Sequence, residues 1–212
     1  TRVTSFSPVL KPRLVTDLYS TSFVFSEKSY VTVESYQEKH QPLENVTLCL
    51  KSYTDSPFGQ ALFSYSTKSQ NKDIAIFKEP LGGSSWLYTV YIGGQAVHFK
   101  VPECYLRWQS TCIVWASETG VLSLWLDNHL LARRVIRKGY LIKSHALITL
   151  GRAYQESIFF TGEIQDVYLW NYTLTVYDLE STQWYDVFPP AVVSWRNLEY
   201  KIKGNVAQEP VF

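Results

Sequence analysis

The stretch Ser110-Thr-Cys-Ile-Val-Trp115, the reversal Ser117-Glu-Thr-Gly120 and the run Val121-Leu-Ser-Leu-Trp-Leu126 constrain the fold more than any other part of the chain. Side chains along a strand point alternately to two faces, so each run offers one row to a core and another to the opposite side. Gly120 and the pair Asp127-Asn128 tolerate the left-handed backbone that tight reversals require. Two successive antiparallel strands are expected here, with Cys112 in the middle of the first.

The same alternation recurs along the chain, in Ser22–Phe25, Tyr30–Val33, Val46–Tyr53, Ala61–Thr67, Asp73–Lys78, Trp86–Ile92 and Ala96–Val101. It continues through Thr111–Ala116, Leu130–Ile136, Ala146–Leu150 and Ile164–Trp170. Each run reads as a half-buried antiparallel strand, and Gly93-Gly94-Gln95 reads as a hairpin turn. One stretch reads as a helix: Thr175 caps it, and Val176, Leu179 and Gln183 share a face up to Tyr185. Pro189-Pro190 breaks the chain before two last extended runs, Val192–Trp195 and Glu199–Ile202. Many short strands with one short helix near the C-terminus imply an all-β, jelly-roll β-sandwich. Thr1 to Asp17 reads as an extended N-terminal arm packed on the domain, and residues 18–212 as one domain without internal repeats.

With 212 residues, a sandwich of this kind buries a sufficient core without a metal or a dense disulfide scaffold. The 15 Tyr and 7 Trp suit pleated, half-buried surfaces. A formal net charge of +1 argues against general nucleic-acid binding. No apolar run reaches the roughly 18 residues of a membrane span. The first residue is Thr1, which fits a chain whose signal peptide has been removed. Of the three cysteines, Cys49 and Cys112 both fall mid-strand and can meet across a sheet or a core. A bond between them closes a loop of about 60 residues and stabilises by roughly 4 kcal/mol on the chain-entropy model. Cys104 is then unpaired, as a buried thiol, an intermolecular bond or the half of a bond to a partner. Asn45-Val-Thr47 and Asn171-Tyr-Thr173 are N-glycosylation acceptors and, with the cysteines, favour an extracellular site.

A cysteine followed by Trp115, a Ser-Glu-x-Gly turn and a Trp-Leu-Asp-Asn strand end resembles the signature of the pentraxin family. The resemblance extends from about Leu18 to the C-terminus through collinear segments. These include Phe23-Val-Phe25, Leu43-Glu-Asn-Val-Thr-Leu-Cys49, Phe63-Ser-Tyr65-Ser-Thr67, Phe77-Lys-Glu79 and Tyr91-Ile-Gly-Gly94. Arg137-Lys-Gly-Tyr140, Ile148-Thr-Leu-Gly151, Phe160-Thr-Gly-Glu-Ile164, Val167-Tyr-Leu-Trp170 and Trp195-Arg-Asn-Leu-Glu-Tyr200 follow in order. The resemblance implies a concanavalin/laminin-G-like sandwich and a Cys49–Cys112 disulfide. Ser110 departs from it, since the family places a histidine two residues before the cysteine.

The resemblance also implies a calcium site, and here the sequence diverges. Secreted members bind two calcium ions through an Asp-Asn pair in one loop and an acidic cluster in another. Collinear with the pair is Gln70-Asn71-Lys72-Asp73, where Lys72 brings an ammonium to the place of an amide oxygen. Calcium takes six to eight oxygens carrying net negative charge, so a lysine there is adverse. The second loop reads Arg152-Ala-Tyr-Gln155-Glu156, is shorter than the family's, and keeps only Glu156 as an acid. Asn71, Lys72, Arg152, Gln155 and Glu156 are thus the positions of a degenerate calcium site. No calcium, and no calcium-dependent binding of phosphocholine-like ligands, is expected. Pentraxin domains without calcium ligands occur in the extracellular ends of adhesion G-protein-coupled receptors, including the long-stalked subgroup G member. The expected role is a non-catalytic adhesion module in the ectodomain of such a plasma-membrane protein. It would form a homodimer or contact a matrix or cell-surface ligand, without nucleic acid and without inserting into the membrane itself. The alternative is a secreted, oligomeric pentraxin of innate immunity that binds carbohydrate or lipid head groups.

Other chemistry finds little support. His40, His98, His129 and His145 lack metal-ligand spacing. No run of alternating acids marks a glycosidase groove, and Glu163 and Asp166, three apart, are expected on opposite faces of a strand. Arg133, Arg134, Arg137 and Lys138, with Lys143 beyond, form a basic cluster. It reads either as an anion patch for sulfated glycans or as a charged edge strand that discourages pairing. Trp86, Trp108 and Trp184 are candidate surface anchors, with core packing as the default.

Overall fold

The computed structural model describes residues 16–33, 41–82, 85–102, 107–153 and 156–211, with backbone alone at Gln183 and Trp184. The expected arm, apart from Thr16 and Asp17, and Cys104, Gln155 and His40 lie outside them. Fourteen strands follow in chain order. They are β1 (Thr21–Phe25), β2 (Tyr30–Val33), β3 (Asn45–Tyr53), β4 (Gln60–Thr67), β5 (Ile74–Gly82), β6 (Ser85–Ile92) and β7 (Gln95–Val101). Then come β8 (Gln109–Ala116), β9 (Val121–Leu126), β10 (His129–Val135), β11 (Ala146–Leu150), β12 (Gly162–Trp170), β13 (Tyr200–Lys203) and β14 (Val206–Pro210). One helix, α1 (Val176–Trp184), separates β12 from the last two strands.

These strands form two seven-stranded antiparallel sheets, ordered β10-β9-β8-β3-β12-β1-β14 and β13-β2-β11-β4-β5-β6-β7. Directly opposed residues point to the same face, so the register reads out the core. In the first sheet Leu169, Leu48, Ile113 and Leu124 form one fully buried row, and Val46, Trp115 and Leu122 the next. In the second sheet Val31, Leu150, Phe63, Ile76 and Val90 form a matching row. Burying such rows between two sheets is the dominant stabilising term. The architecture is the expected jelly-roll sandwich, with the turn at Gly93-Gly94 and the reversal at Asp127-Asn128 both at positive φ. A Cβ on Gly93 would also lie 2.7 Å from the Tyr140 ring, which would have to shift.

The other face of the first sheet is also covered. Cys49 and Cys112 are cross-strand partners there, joined by a disulfide with Cα atoms 4.2 Å apart. Tyr168 and Trp170 share this face through their register with Cys49 and Thr47. The chain after β12 closes over them. Phe188 stacks on Tyr168 at 3.9 Å, and the Trp170 indole donates to the Pro189 carbonyl at 3.0 Å. The Thr47 hydroxyl donates to the Tyr172 carbonyl and accepts from the Leu174 amide. Helix α1 is capped as expected. The Thr175 side chain accepts from the Asp178 amide while the Asp178 carboxylate accepts from the Thr175 amide. Its buried positions are Leu179 and Thr182, and Val176 is exposed, contrary to the expected shared face.

Three other expectations change. Strand β4 is buried at every position rather than on one face. The Ser64 and Ser66 hydroxyls satisfy themselves on the Arg152 and Asn71 carbonyls, which pass over its outer side. The run Val192–Trp195 is no strand: Val193 makes a single bridge to Leu169, and a 3-10 turn begins at Trp195. Strand β14 is additional; it pairs with β1, and its exposed Ala-Gln-Glu-Pro sequence carries no apolar alternation.

The disulfide ties residues 63 apart in sequence, so its removal releases a large loop into the unfolded ensemble. The double variant Cys49→Ala/Cys112→Ala is expected to lose about 4 kcal/mol of unfolding free energy in urea titration.

Candidate functional site

The loops that carry the expected ligand chemistry are the β4–β5 turn and the β11–β12 connection. In the first, Thr67 and Gln70 exchange backbone hydrogen bonds across a tight turn, which presents Asn71 and Lys72 at its end. In the second, a bridge between Arg152 and Phe159 narrows the loop, and the Arg152 guanidinium donates to the Glu156 carbonyl at 3.0 Å. Arg152 also lies over the Tyr30 and Phe159 rings, at 5.0 and 5.1 Å from their centroids.

The two loops meet at an ion pair between the Lys72 ammonium and the Glu156 carboxylate. The ammonium also sits over two rings of the second sheet, 4.6 Å from the Tyr91 centroid and 5.3 Å from that of Phe77. Partial burial pulls the Lys72 pKa down, but the Glu156 carboxylate, with help from Tyr91, outweighs it and holds the group above its ordinary value. The cation is therefore fixed in its charged form. A partly exposed ion pair and a cation–π contact are each worth up to about 1 kcal/mol.

Beside it, Asp73 turns inward and is fully buried. Its carboxylate accepts from the Thr67 hydroxyl at 2.8 Å and from the Tyr140 hydroxyl at 2.7 Å. Burial raises the Asp73 pKa, opposed by these two hydrogen bonds and by the Arg137 and Lys143 charges. Burial and the Asp73 carboxylate in turn push the Tyr140 phenol up to about 12. The Arg137 guanidinium stacks on the same Tyr140 ring at 4.1 Å.

The donor chemistry of the described residues does not fit calcium. Glu156 is neutralised by an ammonium, Asp73 is committed inward, and Arg152 adds a second cation beside the loop. Among the described residues no three His, Cys, Asp or Glu side chains converge as metal ligands. The described histidines are dispersed. His98 pairs with the Thr89 hydroxyl at 3.0 Å, and His129 lies 2.7 Å from the Asp127 carbonyl. His145 lines an open cleft of about 410 Å³ with Ser66, Lys68 and Asn71.

The four basic positions do not converge. Arg133 is opposite Ser123 and Arg134 opposite Leu122, so they face opposite sides of edge strand β10. Arg134 reaches over Phe99 of β7 at 5.4 Å, whereas Arg137 is held on Tyr140 and Lys138 is exposed. The acids of β12 are engaged separately. Glu163 accepts from the Ser22 hydroxyl at 2.7 Å, and Asp166, at a bulge with φ 52°, pairs with Lys51 at 2.8 Å. Trp86 is part-buried beneath the Lys78 ammonium at 4.5 Å, and Trp108 is half-buried against Tyr53 at 6.0 Å. Of the acceptor asparagines, Asn45 is half-buried at the start of β3 and Asn171 is exposed in the bend after β12. Sequence reasoning did not find the aromatic partners of Lys72. Phe77 and Tyr91 lie diagonally across the β5–β6 pair, Phe77 opposite Thr89 and Tyr91 opposite Ala75, and their rings come within 5.7 Å only once the sheet is assembled.

Two seven-stranded sheets, a cross-strand disulfide and one capped helix define a jelly-roll β-sandwich domain of the pentraxin class. The chain matches the Pentaxin family over residues 21–210 and belongs to it. It is 33% identical over 205 residues to serum amyloid P-component of Mus musculus, covering 92% of this chain and 89% of that one. In structure it resembles the native heptameric SAP-like pentraxin of Limulus polyphemus (TM-score 0.79, 14% identity, 91% of this chain and 95% of that one). It also resembles part of the full extracellular region of zebrafish Gpr126/Adgrg6 (TM-score 0.71, 16% identity, 92% of this chain and 26% of that one).

The raised Asp73 pKa has a defined sign. The folded chain holds this proton where the unfolded chain, near the ordinary 3.8, has lost it. This contribution is therefore most favourable below that value and is lost as pH rises through the window up to the folded pKa. Urea titrations from pH 3.5 upward (about half-unit steps) are expected to show this decline relative to Asp73→Asn, which lacks it.

Proposed function

We propose that this chain is a non-catalytic, extracellular recognition domain that works without calcium. The observation that carries the reading is Lys72. Its ammonium takes the place of an oxygen donor, neutralises Glu156 and joins the two loops that a metal would otherwise bridge. Glu163 and Asp166 are each occupied in contacts of their own, with Ser22 and Lys51, which supports a binding rather than a hydrolytic role.

Two carriers of such a domain are distinguished. In the first it forms part of the ectodomain of an adhesion G-protein-coupled receptor, meeting its own copies, the matrix or a neighbouring cell. The likeness to the Gpr126 extracellular region supports this placement at the level of fold. In the second it is a secreted oligomer, supported by correspondence over nearly the whole length of serum amyloid P-component and by the heptameric Limulus neighbour. The disulfide and the two acceptor triplets fit an oxidising, extracellular address in both.

Calorimetric titration with calcium is expected to give no binding heat, and the melting temperature is expected to be the same in calcium and in chelator. A saturable site with a raised melting temperature overturns the reading. Sedimentation equilibrium is expected to give the mass of a homodimer, the commonest closed symmetric assembly. A larger ring mass would favour the secreted reading.

A further inference from the structure

The two N-glycosylation triplets are equivalent in sequence and opposite in structure. Asn45 opens β3 opposite Ala116 of β8, and Val46 and Thr47 that follow it are completely buried. The transferase reads a triplet before the chain folds, so the folded domain selects by which glycan it accommodates. Here Asn45 is half-buried in β3 with the Thr47 hydroxyl committed to the fold. That hydroxyl donates to the Tyr172 carbonyl at 2.8 Å and accepts from the Leu174 amide at 2.9 Å. Asn171, Tyr172 and Thr173 are all exposed and lie in an irregular bend between β12 and α1. The buried threonine of the first triplet thus fixes the loop that displays the second.

The segment that follows Asn171 carries a concentration of exposed apolar side chains. Tyr177 is 76% exposed, Tyr185 75%, Val187 58% and Val176 50%. Tyr177, Tyr185 and Val187 line an open groove of about 380 Å³ together with Pro189. Tyr172, the middle residue of the second triplet, is continuous with this surface, because its hydroxyl donates to the carbonyl of Pro190 at 2.9 Å. An exposed apolar concentration of this kind marks a surface that something covers. Sugar rings present C–H faces that pack on aromatic rings, and their hydroxyls remain in water. A glycan anchored next to the groove acts at high effective concentration, so weak ring contacts suffice.

We propose that Asn171 carries an N-linked glycan, that Asn45 does not, and that the Asn171 glycan covers the Tyr177–Tyr185–Val187 surface. The inference rests on the extracellular reading above. The test is expression of the chain behind a secretion leader in mammalian cells, followed by glycopeptide mass spectrometry. The expected result is a glycan at Asn171 and an unmodified Asn45; a bare Asn171 or an occupied Asn45 overturns the assignment. For the covering, Asn171→Gln and Thr173→Ala, which remove the acceptor in different ways, are both expected to raise anilinonaphthalene-sulfonate fluorescence about twofold. Adding Tyr177→Ser/Tyr185→Ser is expected to return it to the wild-type level. No rise in either acceptor variant overturns the covering. So does a glycosylated dimer that Tyr177→Ser/Tyr185→Ser dissociates, since a second copy then occupies the groove. The supplied leader delivers the chain to the transferase whatever its native address. A bare Asn171 therefore counts against the surface argument, whereas failure of the native chain to reach the cell exterior counts against the extracellular reading.

Discussion

The pairing of β3 with β8 is the interaction on which the rest of the domain depends. Its alternation serves two layers at once. Leu48 and Ile113 enter the space between the sheets, and Cys49 and Cys112, one residue on, lock the same two strands from the other face. That second face would be exposed in a simple sandwich. Here it holds Thr47, Tyr168 and Trp170, and it is the floor onto which the segment after β12 folds. A change in register of one residue would exchange the two rows and disrupt both layers together. The cysteine therefore fixes more than loop entropy: it holds the register that lets one sheet carry a core on each side.

A charge fixed by the chain itself lies where the β4–β5 turn meets the β11–β12 connection. The Lys72 ammonium neutralises Glu156 and is further held by Tyr91 and Phe77. On the calcium-free reading proposed above, this tethered cation joins the loops whatever the calcium concentration. Asp73, next in sequence, faces the opposite way and joins the turn to Tyr140 and Arg137. Neighbouring residues of one turn thus stabilise two different parts of the surface, with no carboxylate left over for a metal.

Much of the fold was legible because period-two alternation and left-handed turn residues are local signals. The strands around Cys112, the Gly93-Gly94 and Asp127-Asn128 reversals and the Thr175 cap all belong to this class. The misses are tertiary. Strand β4 is buried on both faces because the Arg152 and Asn71 carbonyls cover its outer serines, which no alternation rule anticipates. Strand β14 has little apolar pattern because it pairs at an edge with β1 and buries little. At the candidate site, the lysine itself was legible as a departure from the family. Its aromatic partners were not, because Phe77 and Tyr91 are brought together by strand pairing across residues distant in sequence.

On the calcium-free reading proposed above, recognition draws on the remaining surface, which is divided by what the sandwich leaves uncovered. Edge strand β10 presents its cations to two sides: Arg133 outward and Arg134 across Phe99 toward the other sheet. Such an arrangement discourages strand-to-strand addition more than it builds a single anion pocket. The segment around α1 does the opposite, covering the first sheet with Leu174, Leu179 and Phe188 while turning Tyr177 and Tyr185 to solvent. A helix with one side committed to the sheet and aromatic residues turned outward leaves an apolar surface that needs a cover, which the proposed Asn171 glycan supplies. The strand edge and the segment around α1 thus differ in kind: the first is guarded by its charges, and the second is an apolar surface whose burial falls to the attached sugar.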